Sequence, residues 1–279
     1  MNDRNAVFFQ VPQTRVRVSA GDVQLPILYY DASALYAFFL VEQDKIRELL
    51  LDAELEPGMR VGSKAIVGLA CYQYRDTSVG VYNEVGLAIA VSRQDDSLSL
   101  GGWRDVLASF THPEERRSGL YVLDLPVTTA LANAAGREIW GFPKFVTPIE
   151  FELRGNQFSC SVENPDSGTP LMTLAGRMGV AVPARPFSLA LYSYCNQQLH
   201  RTTVNVRGKS RISLPGSVRL QVGGGDHVMV QHLNRLGLNN AKPLALMWTD
   251  CFQSRLNAGV VVADAPATQR VAMSMSRSS

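Results

Sequence analysis

A long succession of short β-rich segments, separated by turn residues, constrains what this chain can fold into more than any other feature. Residues 149–153 (IEFEL) alternate apolar and polar side chains, which is typical of an antiparallel strand with one buried face. Residues 154–156 (RGN) form a tight turn to the next strand, and residues 164–168 (NPDSG) form the turn after that. The same pattern predicts strands over residues 23–29, 34–41, 64–74, 79–91, 121–126, 144–154, 157–163, 170–175, 188–195, 202–206, 217–222 and 258–263.

Helical signals are confined to three segments. Residues 42–52 (EQDKIRELLLD) place their apolar side chains on one helical face, and residues 128–140 are rich in alanine. Residues 228–236 carry the weakest helical pattern, and we expect Asp226 to cap this helix.

No linker, repeat or shift in composition divides the chain. We therefore expect one α+β domain over residues 1–265, built on a large antiparallel β-sheet or barrel with a few flanking helices. The short polar segment 266–279 is expected to be a disordered tail.

The composition is that of a globular protein and excludes several classes of partner. Hydrophobic residues make up 46% of the chain and charged residues 19%, which is enough apolar material for a sizeable core. Because 27 Lys and Arg are balanced by 25 Asp and Glu, we expect neither nucleic acid nor a membrane surface as a partner. No apolar run approaches the ~20 residues that span a bilayer. The N-terminus lacks the apolar segment of a secretory signal, so we expect a cytoplasmic protein.

Metal and cofactor motifs are absent from the sequence. The cysteines are widely spaced and form no CxxC, so we interpret them as small buried hydrophobes, and the histidines form neither HxxxH nor HExxH. The nucleophile motif GxSxG and the dinucleotide motif GxGxxG do not occur. Residues 223–225 (GGG) lack the lysine of a phosphate-binding loop, and we interpret them as a plain loop. We expect no metal and no external cofactor.

One lysine has unusual neighbours. Lys144 lies between a predicted helix and a predicted strand, among Trp140, Phe142 and Phe145. Because burial disfavours a charged ammonium, an apolar surround makes the neutral amine available, and a neutral lysine amine forms a Schiff base with a ketone or aldehyde. The helix dipole opposes this effect but is the weaker of the two. From these residues alone, the alternative is a surface lysine that begins a strand.

The segment around this lysine resembles the active-site segment of the acetoacetate decarboxylase family. Residues 136–145 (GREIWGFPKF) match that family's G-R-E stretch, which is followed by an aromatic residue, a proline and the Schiff-base lysine. Residues 76–78 (DTS) and 81–91 (VYNEVGLAIAV) resemble the family segment in which a Tyr-x-Glu supplies the active-site carboxylate. Residues 218–221 and 226–227 give a weaker match, and the resemblance extends over roughly residues 20–265.

The resemblance implies specific site residues. Lys144 would be the Schiff-base lysine and Glu84 the carboxylate that faces it. From the residues alone, Glu84 is equally a solvated strand carboxylate, although it shares a face with Gly86, whose small size leaves space for a pocket. We expect the substrate-binding residues to be Tyr82, Trp140, Phe142, Phe145 and Arg137.

Three departures from the family pattern bear on the substrate. Phe145 stands where the family decarboxylase has a second lysine, and residues 30–35 (YDASAL) lack the family's substrate-facing arginine. A further family glutamate corresponds to about Ala70. We therefore expect a larger oxo compound than acetoacetate.

Another arginine can replace the missing carboxylate binder. The candidates are Arg75, Arg104 and Arg137. For Arg137 and its neighbour Glu138, an ion pair or cap contact that fixes the lysine segment is the favoured alternative.

These observations predict a homo-oligomeric lyase that decarboxylates a β-keto acid through a lysine imine and enamine. One alternative keeps the imine and performs aldol or dehydration chemistry on an oxo acid. Another, of a different class, is a β-barrel carrier that binds a small ligand without chemistry.

Overall fold

The computed structural model describes residues 4–50, 54–93 and 118–264, and strands dominate them. The strands are β1 (Thr14–Val18), β2 (Gly21–Leu25), β3 (Ile27–Glu42), β4 (Leu55–Pro57), β5 (Arg60–Val61), β6 (Lys64–Thr77), β7 (Tyr82–Arg93), β8 (Ser118–Asp124), β9 (Ile149–Arg154), β10 (Gln157–Glu163), β11 (Pro170–Arg177), β12 (Ala181–Ala184), β13 (Leu189–Cys195), β14 (Gln198–Arg207), β15 (Ser210–Ser213), β16 (Arg219–Val222), β17 (Ala245–Leu256) and β18 (Val260–Asp264). The helices are α1 (Gln43–Arg47), α2 (Ala130–Trp140) and α3 (Val228–Arg235), and Val7–Phe9 form one 3₁₀ turn.

Seven strands close into a barrel. Their order around it is β17, β3, β6, β7, β8, β13 and β14, and the pairing of β14 with β17 closes the ring. Every neighbouring pair is antiparallel except β8 and β13, which are parallel. The α+β architecture with a large, mainly antiparallel barrel is therefore confirmed.

A second sheet covers one side of the barrel. β16, β11, β10 and β9 form this four-stranded antiparallel sheet, and α3 packs between it and the barrel. Outward side chains of β6 and β7, such as Leu69 and Leu87, share one core with Leu174 of β11 and Leu233 of α3. The opposite faces of β6 and β7 point into the barrel. Both strands are therefore buried on two sides, which is why their central segments, residues 65–72 and 85–91, carry no charged side chain.

Helix α2 packs against one end of the barrel. Its alanines at 132, 134 and 135 and its terminal Trp140 join a second core with inward residues of the barrel strands. Gly141 ends the helix in the left-handed conformation (φ 66°), and its amide donates to the carbonyl of Arg137. A side chain cannot replace this glycine, because its Cβ would lie 1.9 Å from the carbonyl oxygen of Tyr194.

Most predicted strands form, although several are longer than their apolar runs. The prediction of two separate strands over 23–29 and 34–41 is wrong beyond residue 26. Residues Ile27–Glu42 form one unbroken strand, β3. The polar residue Asp31 interrupted the pattern. It remains in the strand because the register shifts there and Arg75 of β6 binds its carboxylate at 2.7 and 2.9 Å.

The largest omission is β17, which carried no strand prediction although it closes the barrel. Residues 249–251 (TDC) lie in its middle and break the apolar pattern. The register shifts between Thr249 and Phe252 as β17 pairs with β3, so the ladder continues past the polar residues. The short strands β1, β4, β5, β12 and β15 were also not predicted.

Three further expectations need correction. The strand predicted over 144–154 begins only at Ile149, because residues 142–147 pair irregularly with the segment after β8. Of the helix predicted over 42–52, the described residues form only the short α1, and residues 51 and 52 lie outside the described residues. His227, and not Asp226, caps α3, as its ring nitrogen accepts from the amide of Met229 at 3.2 Å.

Other expectations concern the cysteines, the tail and the membrane. Cys71, Cys160 and Cys195 are buried as expected, and burial raises the pKa of the Cys71 thiol, whereas Cys251 is exposed. The tail predicted for 266–279 lies outside the described residues. Among the described helices, none has the length and apolar character to cross a membrane.

Candidate active site

Lys144 lies inside the protein with its side chain packed on α2. Its exposed fraction is 6%, and it sits in the extended segment that follows Gly141. The stem passes directly over Gly136, where an added Cβ would lie 2.3 and 2.4 Å from Cδ and Cε of the lysine. Only glycine at this helix position leaves room for the lysine stem.

Glu84 reaches the same point from β7. Its exposed fraction is 7%, and Gly86 on the same strand face lines the same space, as the alternation of the sequence predicts. The odd-numbered neighbours Val85 and Leu87 point into the outer core. Glu84 is therefore an inward carboxylate and not a solvated one.

Residues 125–127 hold the two side chains in register. The carbonyl of Pro126 accepts from the amide of the residue after Glu84 at 3.1 Å. The amide of Val127 donates to the carbonyl of the residue after Lys144 at 2.9 Å. One short backbone segment thus bridges the lysine segment and β7, so the position of each charged group depends on the same hydrogen-bond ladder.

The two charged groups contact each other. The ammonium Nζ of Lys144 donates a hydrogen bond to Oε2 of Glu84, and the Tyr74 hydroxyl donates to Oε1 at 3.3 Å. The hydroxyls of Tyr29 and Tyr82 lie 3.1 Å apart next to them, and Nζ is 6.0 Å from the centre of the Tyr82 ring. The pair is thus buried and flanked by phenol groups.

These tyrosines stay protonated over a wide pH range. Burial raises the pKa of Tyr29 and Tyr74 above that of a free tyrosine, and the negative charge of Glu84 raises it further. The pKa of Tyr82 is also raised, first by burial and then by the neighbouring Tyr29 and Glu84. The hydroxyls therefore remain hydrogen-bond donors.

A cavity of about 360 Å³ fills the barrel beside this pair. All seven barrel strands contribute inward side chains to its wall. Among the described residues that line it, Lys144 and Glu84 are the only charged ones, and the other polar groups are tyrosine and serine hydroxyls. The described part of the chain holds no group of three or more His, Cys, Asp or Glu side chains that could hold a metal ion.

The predicted aromatic residues lie at different distances from this cavity. Phe142 lines it together with Lys144. Trp140 stacks on Phe142 (ring centroids 6.0 Å apart) and donates its indole N–H to the carbonyl of Asn257 at 3.0 Å, so it supports the wall from behind. Phe145 points to the opposite side and packs on the His227 ring, with centroids 4.8 Å apart.

None of the candidate arginines among the described residues lines the cavity. Arg137 is exposed, and its Nη1 donates to the carbonyl of Lys144 at 2.9 Å, which is the contact that fixes the lysine segment. Glu138 instead accepts from the amide of Ser19 at 3.0 Å. Arg75 binds Asp31 and the hydroxyl of Ser33. Arg104 lies outside the described residues.

Three residues that shape the site were not identified from the sequence, namely Tyr74, Tyr29 and Gly136. Tyr74 was detectable, because a hairpin that turns at residues 78–81 places it opposite Tyr82 and places Tyr72 opposite Glu84. Tyr29 comes from β3, and no local pattern connects it to the other tyrosines. Gly136 lies within the motif, but its function depends on the path of a side chain eight residues later.

The sequence model of the acetoacetate decarboxylase (ADC) family matches residues 11–227, which is more than half of the chain. The chain belongs to the acetoacetate decarboxylase family. A search of curated proteins finds no match.

Solved structures of the family share the fold at low sequence identity. One acetoacetate decarboxylase is 17% identical with a TM-score of 0.62, and the match covers 86% of this chain and 90% of that one. The acetoacetate decarboxylase of Legionella pneumophila is 16% identical with a TM-score of 0.61, over 95% and 97% of the two chains.

The enduracididine biosynthesis enzyme MppR is a further structural neighbour. Its structure was determined with the condensation product of pyruvate and imidazole 4-carboxaldehyde. It is 14% identical with a TM-score of 0.60, over 86% of this chain and 90% of that one. The family fold therefore includes enzymes that are not named as decarboxylases.

Proposed function

We propose that this protein is a Schiff-base-forming lyase that decarboxylates a β-keto acid, with Lys144 as the nucleophile and Glu84 as its proton partner. The observation that carries the proposal is the direct contact of these two groups, each less than a tenth exposed, at the wall of an apolar cavity. The chain has five lysines, and the other four, Lys45, Lys64, Lys209 and Lys242, are exposed.

The contact supplies the first proton transfer without water. When Nζ of Lys144 gives a proton to Oε2 of Glu84, the neutral amine can attack the ketone carbon of the substrate. The protonated carboxyl then returns this proton to the hydroxyl of the carbinolamine, which leaves as water. The net change is an ammonium and a ketone giving a protonated imine and one water, with Glu84 ionised again.

The protonated imine then acts as the electron sink. The bond between the carboxylate and the α-carbon breaks, carbon dioxide leaves, and the bonding electrons form an enamine with the imine nitrogen. A proton taken up from the medium adds to the enamine carbon, and hydrolysis by one water then releases the ketone and restores the ammonium of Lys144. The apolar wall favours this step, because departure of carbon dioxide removes a carboxylate that no described arginine in the wall neutralises.

Aldol or dehydration chemistry through the same imine is the second candidate. It is favoured by the absence of an arginine from residues 30–35, and by Ala70, which lines the cavity at about the position of a family glutamate. The structural likeness to MppR is compatible with it. Both candidates require Lys144, and only decarboxylation releases carbon dioxide.

The test is reductive trapping. The protein is incubated with β-keto acids and cyanoborohydride, the intact mass is measured, and carbon dioxide is followed in parallel without reductant. We expect a single adduct that peptide mapping places on Lys144, together with carbon dioxide release. An adduct without carbon dioxide supports the aldol candidate. No adduct with any oxo compound, or an adduct on an exposed lysine, overturns the proposal.

Variants separate the two roles. Lys144→Met should abolish the adduct, and because it leaves Glu84 buried without its ammonium, the double variant with Glu84→Gln is measured as well. Glu84→Gln alone should keep the adduct but lower turnover by about 10²- to 10⁴-fold, the usual contribution of a general acid–base group. Lys242→Ala, at an exposed lysine, is the matched control and should behave as the unmodified protein.

A further inference from the structure

We infer that the substrate of this site carries an extended apolar tail: a 3-oxo acid whose alkyl or arylalkyl chain fills the barrel, with its keto group at Lys144. The inference rests on the proposed function for the position of the keto group. The nature of the tail rests on the cavity wall alone. Three independent features of the wall support it.

The middle of the wall is built from small residues. Gly68 of β6 pairs with Ala88 of β7, and Ala70 pairs with Gly86, and all four line the cavity. Because these positions face the barrel interior on adjacent strands, the absence of large side chains on both leaves the centre of the barrel empty. A chain of methylenes fits against such a wall, since it offers backbone and Cβ surface without polar side chains.

The distribution of charged residues along the cavity indicates which end of the ligand lies at Lys144. The ion pair lies at one end of the cavity, beside Tyr29 and Phe142. At the other end the wall includes Val61 and Leu244, which are 49% and 53% exposed, so this end is open. A ligand with its keto group at Lys144 therefore extends its remaining atoms past the small residues toward an apolar mouth.

The size of the cavity sets the length of the tail. At about 30 Å³ per non-hydrogen atom, the share of a water molecule in the liquid, the cavity holds roughly twelve such atoms. A 3-oxo acid head uses six of them, which leaves a tail of about six carbons.

Short or polyhydroxylated oxo acids fit this wall poorly. Acetoacetate has a one-carbon tail and leaves the space beside Gly68 and Ala88 unfilled. A sugar-like oxo acid would bury hydroxyl groups where the described wall offers no partner beyond tyrosine and serine hydroxyls. Each methylene moved from water into the cavity is worth about fourfold in binding, from the free energy of burying one CH₂.

The experiment is a chain-length series. Freshly prepared 3-oxo acids of four, six, eight and ten carbons are trapped on the protein with cyanoborohydride at equal concentration, and carbon dioxide release is measured for each. We expect the eight-carbon acid to exceed acetoacetate at least tenfold in kcat/KM. Adducts that form equally well with all lengths, or best with acetoacetate, overturn the inference and leave the Schiff-base proposal standing.

A binding measurement without imine formation distinguishes failure of the apolar-tail inference from failure of the proposed function. Calorimetry of the double variant Lys144→Met/Glu84→Gln with 2-butanone, 2-hexanone and 2-octanone measures the tail site when no imine can form. We expect affinity to rise with chain length. If affinity rises but no oxo acid forms an adduct with the unmodified protein, the proposed function fails and the apolar-tail site stands. Affinity that is independent of length overturns the inference.

One variant addresses the wall directly. Gly68→Val places three carbons in the middle of the cavity, and its Cβ meets only the carbonyl oxygen of Ala88, at 4.0 Å, so the strand accepts it. We expect the eight-carbon acid to lose its tenfold advantage over acetoacetate. Ala175→Val, in the four-stranded sheet away from the cavity, should keep the full preference. An unchanged preference in folded Gly68→Val overturns the assignment of the tail to this wall.

Discussion

At the scale of single residues, the site depends on positions that carry no functional group. Gly136 offers only hydrogen where the Lys144 stem crosses α2, and Gly141 allows the chain to leave the helix toward Lys144. Because Gly136 and Gly141 have no side chain, they help to place the ammonium of Lys144 beside the carboxylate of Glu84. A family motif that contains both glycines therefore encodes geometry in addition to chemistry.

Gly136→Ala should separate stability from activity. Alanine is better than glycine in a helix interior by about 1 kcal/mol, so the midpoint of thermal unfolding should change by only a few degrees. The added Cβ would lie 2.3 Å from Cδ of Lys144, so the stem must move and Nζ with it. We expect trapping with a β-keto acid to slow at least tenfold.

The control for this variant is Gly224→Ala, where no atom lies within 4 Å of an added Cβ. It should trap at the rate of the unmodified protein. Unimpaired trapping by Gly136→Ala would mean that the lysine stem does not need this space.

At the scale of elements, the lysine segment is fixed by backbone contacts on two sides. Residues 125–127 bind it to β7, and Arg137 on α2 donates to the carbonyl of Lys144. A segment between a helix and a strand would otherwise be free to shift by more than the reacting groups tolerate. The segment that carries Lys144 is thus positioned by its neighbours and not by a helix or strand of its own.

Arg137→Met tests whether this arginine positions the lysine or binds the substrate. If Arg137 acts through the Lys144 carbonyl, its loss should slow trapping of a β-keto acid and of the corresponding methyl ketone by the same factor, about three- to tenfold. Glu138→Gln is the matched control, because Glu138 is the next residue of α2 and its carboxylate binds Ser19 instead. A loss confined to the keto acid would assign Arg137 to the substrate carboxylate.

At the scale of the whole molecule, the barrel places buried tyrosines from three strands around one carboxylate. Tyr29, Tyr74 and Tyr82 come from β3, β6 and β7, and burial raises the pKa of each above its usual value near 10. In the unfolded chain the same phenols ionise near pH 10. The folded state therefore retains protons that the unfolded state loses above this pH.

The consequence is a loss of stability at alkaline pH. The raised pKa values contribute fully to the free energy of unfolding below pH 10. Above pH 10 this contribution is lost, by roughly 1.4 kcal/mol per pH unit for each tyrosine that stays protonated in the folded state. Urea denaturation at pH 8, 10 and 11 should show the decrease, and tyrosinate absorbance should appear together with unfolding.

The double variant Tyr29→Phe/Tyr82→Phe should flatten this pH dependence. Tyr30→Phe, outside the barrel cavity, is its control and should not. Tyrosinate absorbance in the folded protein at pH 10 would contradict the argument.

Assembly also belongs to this scale, and the expected homo-oligomer stays a prediction. Val180 and Leu214 are 91% and 72% exposed beside β12, a strand at the end of the sheet. Exposed apolar groups at a sheet edge favour contact with another subunit. Light scattering at micromolar concentration should give a multiple of 30.6 kDa, and a stable monomer would contradict this expectation.

Features that depend on local periodicity could be predicted from the amino-acid sequence alone. Alternation along β7 places Glu84 and Gly86 on the face opposite Val85 and Leu87, since side chains in a strand have a period of two. The motif around Lys144 predicted the candidate nucleophile, and turn residues predicted most of the strands. None of these features requires knowledge of what lies across the strand.

What each face of a strand or helix contacts is known only from the folded chain. β17 closes the barrel although its own sequence is broken by polar residues, because its pairing is set by β3 and β14, which are distant in the chain. The same holds for Phe145, whose apolar side chain equally suits a cavity or a core, and which packs on His227. Hydrophobicity and spacing determine that a side chain is buried. Which surface buries it depends on contacts between residues far apart in sequence, and these form only when the barrel closes.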